Sequence, residues 1–190
     1  MICGFGLSAE VIWIRHRLVT ALTRRAGLRA LAAGLVLVTV GLAQMRPAQA
    51  DALTRANAAY ARGDYIRAVN ILTPLALRGN ANAQALLGFM YENGFGAPQA
   101  YDAAADLYFQ AASRGNPFAQ CMLGLMYDKG HGVPQDFILA YKWLNLAAAR
   151  ASKREREYFV RLRNAVASKM SADQIVVGQR LALLWAPGLP

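Results

Sequence analysis

The sequence predicts an all-α protein: a short right-handed α-solenoid of antiparallel helix pairs, closed by a C-terminal capping helix pair. Three observations carry that expectation. Residues 81–116 laid over 117–152 without gaps agree at 14 of 36 positions, a density in register that marks an internal repeat. Within each copy the apolar residues recur at three- and four-residue spacing, the period of one helix face. Finally, 56% of the 190 residues are hydrophobic and 17% are charged, which excludes a chain disordered throughout.

Along the chain, residues 1–50 come first and read as an address. The uncharged run ALAAGLVLVTVGLA over 30–43 follows Arg15, Arg17, Arg24, Arg25 and Arg29, and Ala48-Gln49-Ala50 supplies a small-x-small cleavage pattern. Basic region, apolar region and cleavage site together predict a signal peptide cut after Ala50, hence a periplasmic or secreted protein. The alternative is an inner-membrane anchor over residues 30–45. Length disfavours it, because those 16 residues fall short of the roughly 20 that span a bilayer. The net charge of +10 suggests a nucleic-acid binder at first sight. Half of that excess lies in residues 1–50, which hold six Arg against one Glu, so nucleic acid is not an expected partner.

Residues 51–80 predict a degenerate helix pair. Tyr65, Ala68 and Arg78 stand one 36-residue step before Tyr101, Ala104 and Arg114, and Arg62-Gly63-Asp64-Tyr65 makes the turn between the helices. The unit at 81–116 is cleaner. Its first helix carries Ala83, Leu87, Met90 and Tyr91 on one face; Gly94-x-Gly96-x-Pro98 then ends it, since glycine accepts the left-handed stop and proline cannot continue. Gly88 lies inside that helix at a cost of ~1 kcal/mol relative to alanine. The same cost recurs at Gly124, which predicts a close approach of the partner helix. The second helix carries Tyr101, Ala104, Tyr108, Ala111 and Ala112, and Gly115-Asn116 closes the unit. Residues 117–151 repeat this plan with Gly130-x-Gly132.

Residues 152–186 predict two capping helices. Ser152-x-x-Glu155 and Ser171-x-x-Gln174 are capping boxes, opening one helix of about 16 residues and another through about Trp185. Tyr158, Phe159, Leu162, Ala165 and Val166 fall on one side of the first; Ile175, Gly178, Ala182 and Trp185 share a face of the second. Both are expected to cover the apolar surface that a solenoid leaves at its last repeat.

The residues of the two clean units resemble the Sel-one-like repeat (SLR) family, a branch of the tetratricopeptide (TPR) superfamily. Ala83, Leu87, Gly88, Tyr91, Gly94 and Gly96 match its pattern, as do Ala119, Leu123, Gly124, Tyr127, Gly130, Gly132, Val133, Asp136, Ala140, Trp143, Ala147 and Ala148. Departures are Ala97, Ala100, Leu107 and Ala151. The resemblance implies an adaptor that binds proteins or peptides, with first helices lining a concave face, and names no partner. Some secreted members with a disulfide in each repeat are linked to β-lactam binding or hydrolysis. This chain lacks those cysteine pairs, and that activity is not carried over.

Catalysis, metal binding and cofactors are not expected. A closed zinc site takes four ligands, whereas residues 51–190 offer one histidine, His131, and one cysteine, Cys121. His131 reads as a solvated loop residue and Cys121 as a small helix residue at the position of Ala85, although a lone thiol could pair between chains. Asp102 and Asp106 read as exposed, with Asp106 aligned to Lys142 and suited to an inter-repeat ion pair. Two surfaces remain as binding candidates. On the concave face, Ala85, Phe89 and Glu92 align with Cys121, Leu125 and Asp128, an apolar stripe with acidic neighbours suited to a peptide. The cations Lys153, Arg154, Arg156, Arg161 and Arg163 flank the capping helix, Arg154 and Arg161 on one side and Arg156 and Arg163 on the other. They suit a solvated flank, or peripheral contact with an anionic membrane or cell-wall polymer. The function expected is therefore a non-enzymatic interaction module of a bacterial-type cell envelope. The alternatives are a membrane-tethered assembly factor and, more weakly, a cell-wall or β-lactam hydrolase.

Overall fold

A computed structural model of the chain describes residues 49–187. The expected signal peptide over residues 1–50, and its alternative, an anchor over 30–45, lie outside the described residues, apart from Gln49 and Ala50, which are helical. Among the described residues there are eight helices and no strands: α1 (49–61), α2 (Tyr65–Leu77), α3 (Ala81–Asn93), α4 (Tyr101–Ser113), α5 (Pro117–Lys129), α6 (Phe137–Arg150), α7 (Lys153–Ala167) and α8 (Ala172–Leu183). Each helix from α2 to α6 packs on the next, and α8 turns back onto α6. The result is a short α-solenoid whose core runs as three adjoining apolar clusters instead of one centre.

Local chemistry sets the ends of these helices. Asn80 Oδ1 accepts from the backbone N–H of Asn82 and Ala83 at the start of α3, and Asn116 Oδ1 accepts from Ala119 at the start of α5. Gly94 and Gly130 stop those helices in the left-handed conformation, each at φ 70°, with N–H groups returning to Met90 and Met126. The second glycine of each loop has a different task. A Cβ on Gly96 would lie 2.5 Å from the carbonyl carbon of Tyr65, and one on Gly132 would overlap the backbone carbonyl of Tyr101. Each loop therefore rests directly on the start of the preceding unit's second helix. The helix glycines meet the expectation of close approach. A Cβ on Gly88 would touch the Tyr108 ring at 3.1 Å, and one on Gly124 would press Leu144 at 2.8 Å.

Both C-terminal helices dock on α6, α7 through Phe159 and Val166 and α8 through Gly178 and Ala182. Four expectations need correction here. Ser152 does not cap the backbone of α7; its hydroxyl donates to Glu155 Oε2 at 2.6 Å, so only Ser171 completes a capping box. Tyr158 and Ala165 are exposed, because the face α7 turns to α6 is narrower than its apolar stripe. Helix α8 stops at Leu183, leaving Trp185 beyond it, edge-on to Trp143 and under the Arg150 guanidinium. Finally, Asp106 and Lys142 form no ion pair: the ammonium lies 4.5 Å from the centre of the Trp143 ring, and burial lowers its pKa.

Candidate functional site

The first helices of successive pairs bring aromatic side chains into one run. Tyr60 of α1 meets Phe89 of α3 at a ring separation of 6.3 Å, and Phe89 meets Phe118 of α5 at 6.2 Å. Phe118 then shares a cleft with Ser152, Arg154, Glu155, Tyr158 and Phe159 of the α6–α7 junction and α7. At its N-terminal end the run is closed, since Tyr65 stacks on Phe95 at 4.8 Å and both crowd Tyr60. Toward the C-terminus it opens, with Phe118 40% and Tyr158 51% exposed. Tyr60, Phe89 and Phe118 are spaced at 29 residues, seven short of the repeat, so the run climbs about two helical turns with each unit.

This arrangement revises the expected concave site. Ala85 and Cys121 are 3% and 2% exposed and belong to the core, so neither can touch a partner. They sit where their helices face the neighbouring elements, and burial raises the Cys121 thiol to about 12. A free thiol held neutral and enclosed is unsuited to pairing between chains. Leu125 packs against the cluster of Cys121 and Phe159, whereas Phe89 joins the aromatic run. The acids are engaged as well. Tyr108 donates to Glu92 Oε2 at 2.8 Å, and Lys169 holds Asp128 at 2.7 Å. Burial first, and then the Glu92 charge, keep the Tyr108 phenol protonated.

The cations of α7 sit where the helical spacing places them. Arg154 lines the aromatic cleft; Arg156 and Arg163 line a second one with Asn145, Ala148, Ala149 and Val160 on the opposite flank. Arg163 donates to Asn145 Oδ1 at 3.1 Å, and Arg161 lies 6.0 Å from the Tyr158 ring centre. Lys153, Arg154 and Arg161 make no ion pair with any described residue. His131 is exposed in its loop and packs on Tyr101 at 5.0 Å. No cluster of three metal-ligating side chains exists among the described residues, and no described helix is long and apolar enough to cross a membrane.

The repeat pattern does not mark Tyr60 as a member of the aromatic run, nor Phe118 and Tyr158 as exposed. Phe118 aligns with Asn82, so superposing the repeats conceals it. The 29-residue spacing was the signal that could have exposed it. Reasoning from the repeat also left Gln84 and Gln120 without a role. Their amides donate to the carbonyls of Ala76 and Ala112, eight residues back, tying each first helix to the end of the helix before it.

Comparison with known proteins bears on this geometry. Residues 81–116 and 117–152 each match the Sel1 repeat. Among solved structures, the chain is similar to a protective antigen of uropathogenic Escherichia coli strains displaying an SLR fold, at 29% identity and a TM-score of 0.65. That likeness covers 73% of this chain and 30% of the antigen. A Sel1 repeat protein from Oxalobacter formigenes shares the fold at 24% identity and a TM-score of 0.56, over 70% of this chain and 56% of the other. The chain thus spans less than two thirds of either relative. No protein of curated function matches its sequence.

Proposed function

We propose, for a chain that carries two Sel1 repeats in an SLR fold, that it is an exported, non-catalytic adaptor of the cell envelope. Sel1 repeats typically mediate protein–protein interaction and generally build non-enzymatic scaffolds. Here the partner is a protein or peptide that lays an apolar side chain into the cleft of Phe118, Tyr158 and Phe159 and carries negative charge toward Arg154. One observation supports this above the others. The aromatic run opens to solvent at Arg154, with Arg161 near the Tyr158 ring, and neither cation makes an ion pair with a described residue, while the acids Glu92, Asp128 and, in the cleft itself, Glu155 are already engaged within the chain. Charge at the open end therefore favours an acidic partner. Export rests on the composition of residues 1–50.

Crosslinking in the native envelope, followed by identification of the linked proteins, tests the reading. The double variant Phe118→Asp/Tyr158→Asp changes only exposed or half-exposed side chains and keeps its helical spectrum. It is expected to lose the partner. A folded double variant that retains every partner overturns the proposal.

A further inference from the structure

The last helix carries a second apolar face that nothing in the described chain covers. Gly178 and Ala182 are buried against α6, with Ile175 and Trp185 half-buried on the same side. The other side of α8 presents Val177, Leu181 and Leu184 at helical spacing, with Val176 and Leu183 in a parallel row seven residues apart. All five are exposed, Leu183 at 85% and Leu184 at 75%. An apolar patch of that extent on one 12-residue helix is a mark of an interface.

Asp173 and Arg180 identify the occupant. They lie seven residues apart, in the seam between the two apolar rows, and neither makes an ion pair with a described residue. Their midpoint falls between Val176 and Val177. A two-fold axis through that point, with the helices antiparallel, sets each Asp173 opposite Arg180 of the other molecule and joins the four valines at the centre. Parallel pairing would instead oppose like charges. We infer that α8 is a self-association surface, through which two copies of this chain join tail to tail. The device lies apart from the aromatic cleft, so a dimer displays two clefts, and a partner with two docking segments gains avidity from both.

Sedimentation velocity over a concentration series, on protein produced from the full chain, tests the pairing. The wild type is expected to be a dimer that dissociates on dilution, as suits a small interface. Asp173→Arg or Arg180→Asp alone is expected to weaken it at least tenfold, and the double exchange Asp173→Arg/Arg180→Asp to return it to within about threefold of the wild type. Val177→Cys in the otherwise unaltered chain is expected to form an inter-chain disulfide under oxidising conditions, which Arg62→Cys at the opposite end does not. A monomer at every concentration, an open-ended polymer, a dimer indifferent to the charge exchange, or a Val177→Cys thiol that stays unlinked each overturns the inference.

Discussion

In the repeat at 81–116, Gln84 donates to the carbonyl of Ala76 at 3.0 Å, and in the repeat at 117–152, Gln120 donates to that of Ala112 at 3.1 Å. Gln99 reaches Glu92 O at 2.7 Å and Gln135 reaches Asp128 O at 2.8 Å. Gly94 and Gly130 share a φ of 70°. Positions that set the backbone path are thus built twice, nearly to the decimal. Positions that the path does not constrain have diverged: Asn82 against Phe118, Phe89 against Leu125, Ala100 against Asp136. The scaffold is copied and the surface is written separately in each unit. Residues that identify the repeat are therefore poor guides to what the protein binds, and those that differ between copies are better ones.

Breaking the copied part should cost most. Gly132 has φ +66° and no room for a Cβ against the Tyr101 backbone, and Gly96, at φ +75°, is equally confined against Tyr65. Alanine at either should destabilise by about 4 kcal/mol or more, because backbone must move as well as strain. Gly63→Ala is the control: φ is +80°, but nothing lies within 4 Å, so about 1 kcal/mol is expected. Urea melts of the three variants measure the gap. Similar values for Gly63→Ala and Gly132→Ala would refute the close-contact account.

Cys121 and Ala85 occupy equivalent buried positions, but only one ionises. The folded thiol is raised to about 12 from 9.0, so folding favours its neutral form. That contribution is complete below pH 9 and is lost as pH rises from 9 toward 12. The slope is about 1.4 kcal/mol per pH unit, or roughly 2–3 kcal/mol by pH 11. Stability of the wild type measured against Cys121→Ala across this range should show the difference growing. In the native protein at pH 8 the thiol should resist alkylation. Rapid modification without denaturant would show that the site opens.

The helix glycines sharpen the comparison further. Alanine gains ~1 kcal/mol of helix propensity at either position. Against this, the new methyl at 124 meets Leu144 at 2.8 Å and the Ala140 carbonyl at 3.1 Å, while at 88 it meets a tyrosine ring edge at 3.1 Å and the Ala104 carbonyl at 3.3 Å. Gly124→Ala should cost about 2 kcal/mol net and Gly88→Ala roughly half as much. Thermal or urea midpoints that reverse this order would show that the Tyr108 ring is the less yielding neighbour.

How much of this was legible follows from the same division. Period, helix pairing, the stops at Gly94 and Gly130 and the tight contacts at Gly88 and Gly124 all leave local or repeated marks, and the sequence carries them openly. The second glycine of each loop does not: its task is defined by Tyr65 and Tyr101, some thirty residues earlier, and only the fold brings them together. The candidate surface is legible only in part: helical spacing places the cations of α7 on its two flanks, but the face expected to carry Ala85 and Cys121 is covered by neighbouring helices. Equal spacing reveals which positions correspond, not which of them a partner can reach. Ser152 shows the same limit at smaller scale, because Glu155 can satisfy its hydroxyl directly and so dissolve the capping box.

The smallest effect tests the comparison most directly, since it exchanges one unit's solution for the other's. Asp136 caps α6 by accepting from Ile138 at 2.8 Å and Leu139 at 2.9 Å, whereas Ala100, its counterpart before α4, offers no side-chain acceptor. The backbone at both positions is extended, with φ −151° and −147° and ψ 107° and 98°, so the geometry that admits a cap exists in each. Asp136→Ala should therefore lose about 1 kcal/mol and Ala100→Asp gain about 0.5–1 kcal/mol. The double exchange should return close to the wild-type midpoint, because the two caps lie in separate units and share no partner. A gain at 100 without a loss at 136 would mean that the capped start of α6 is held by its packing against α5 and α7, and that the copied backbone no longer depends on its cap.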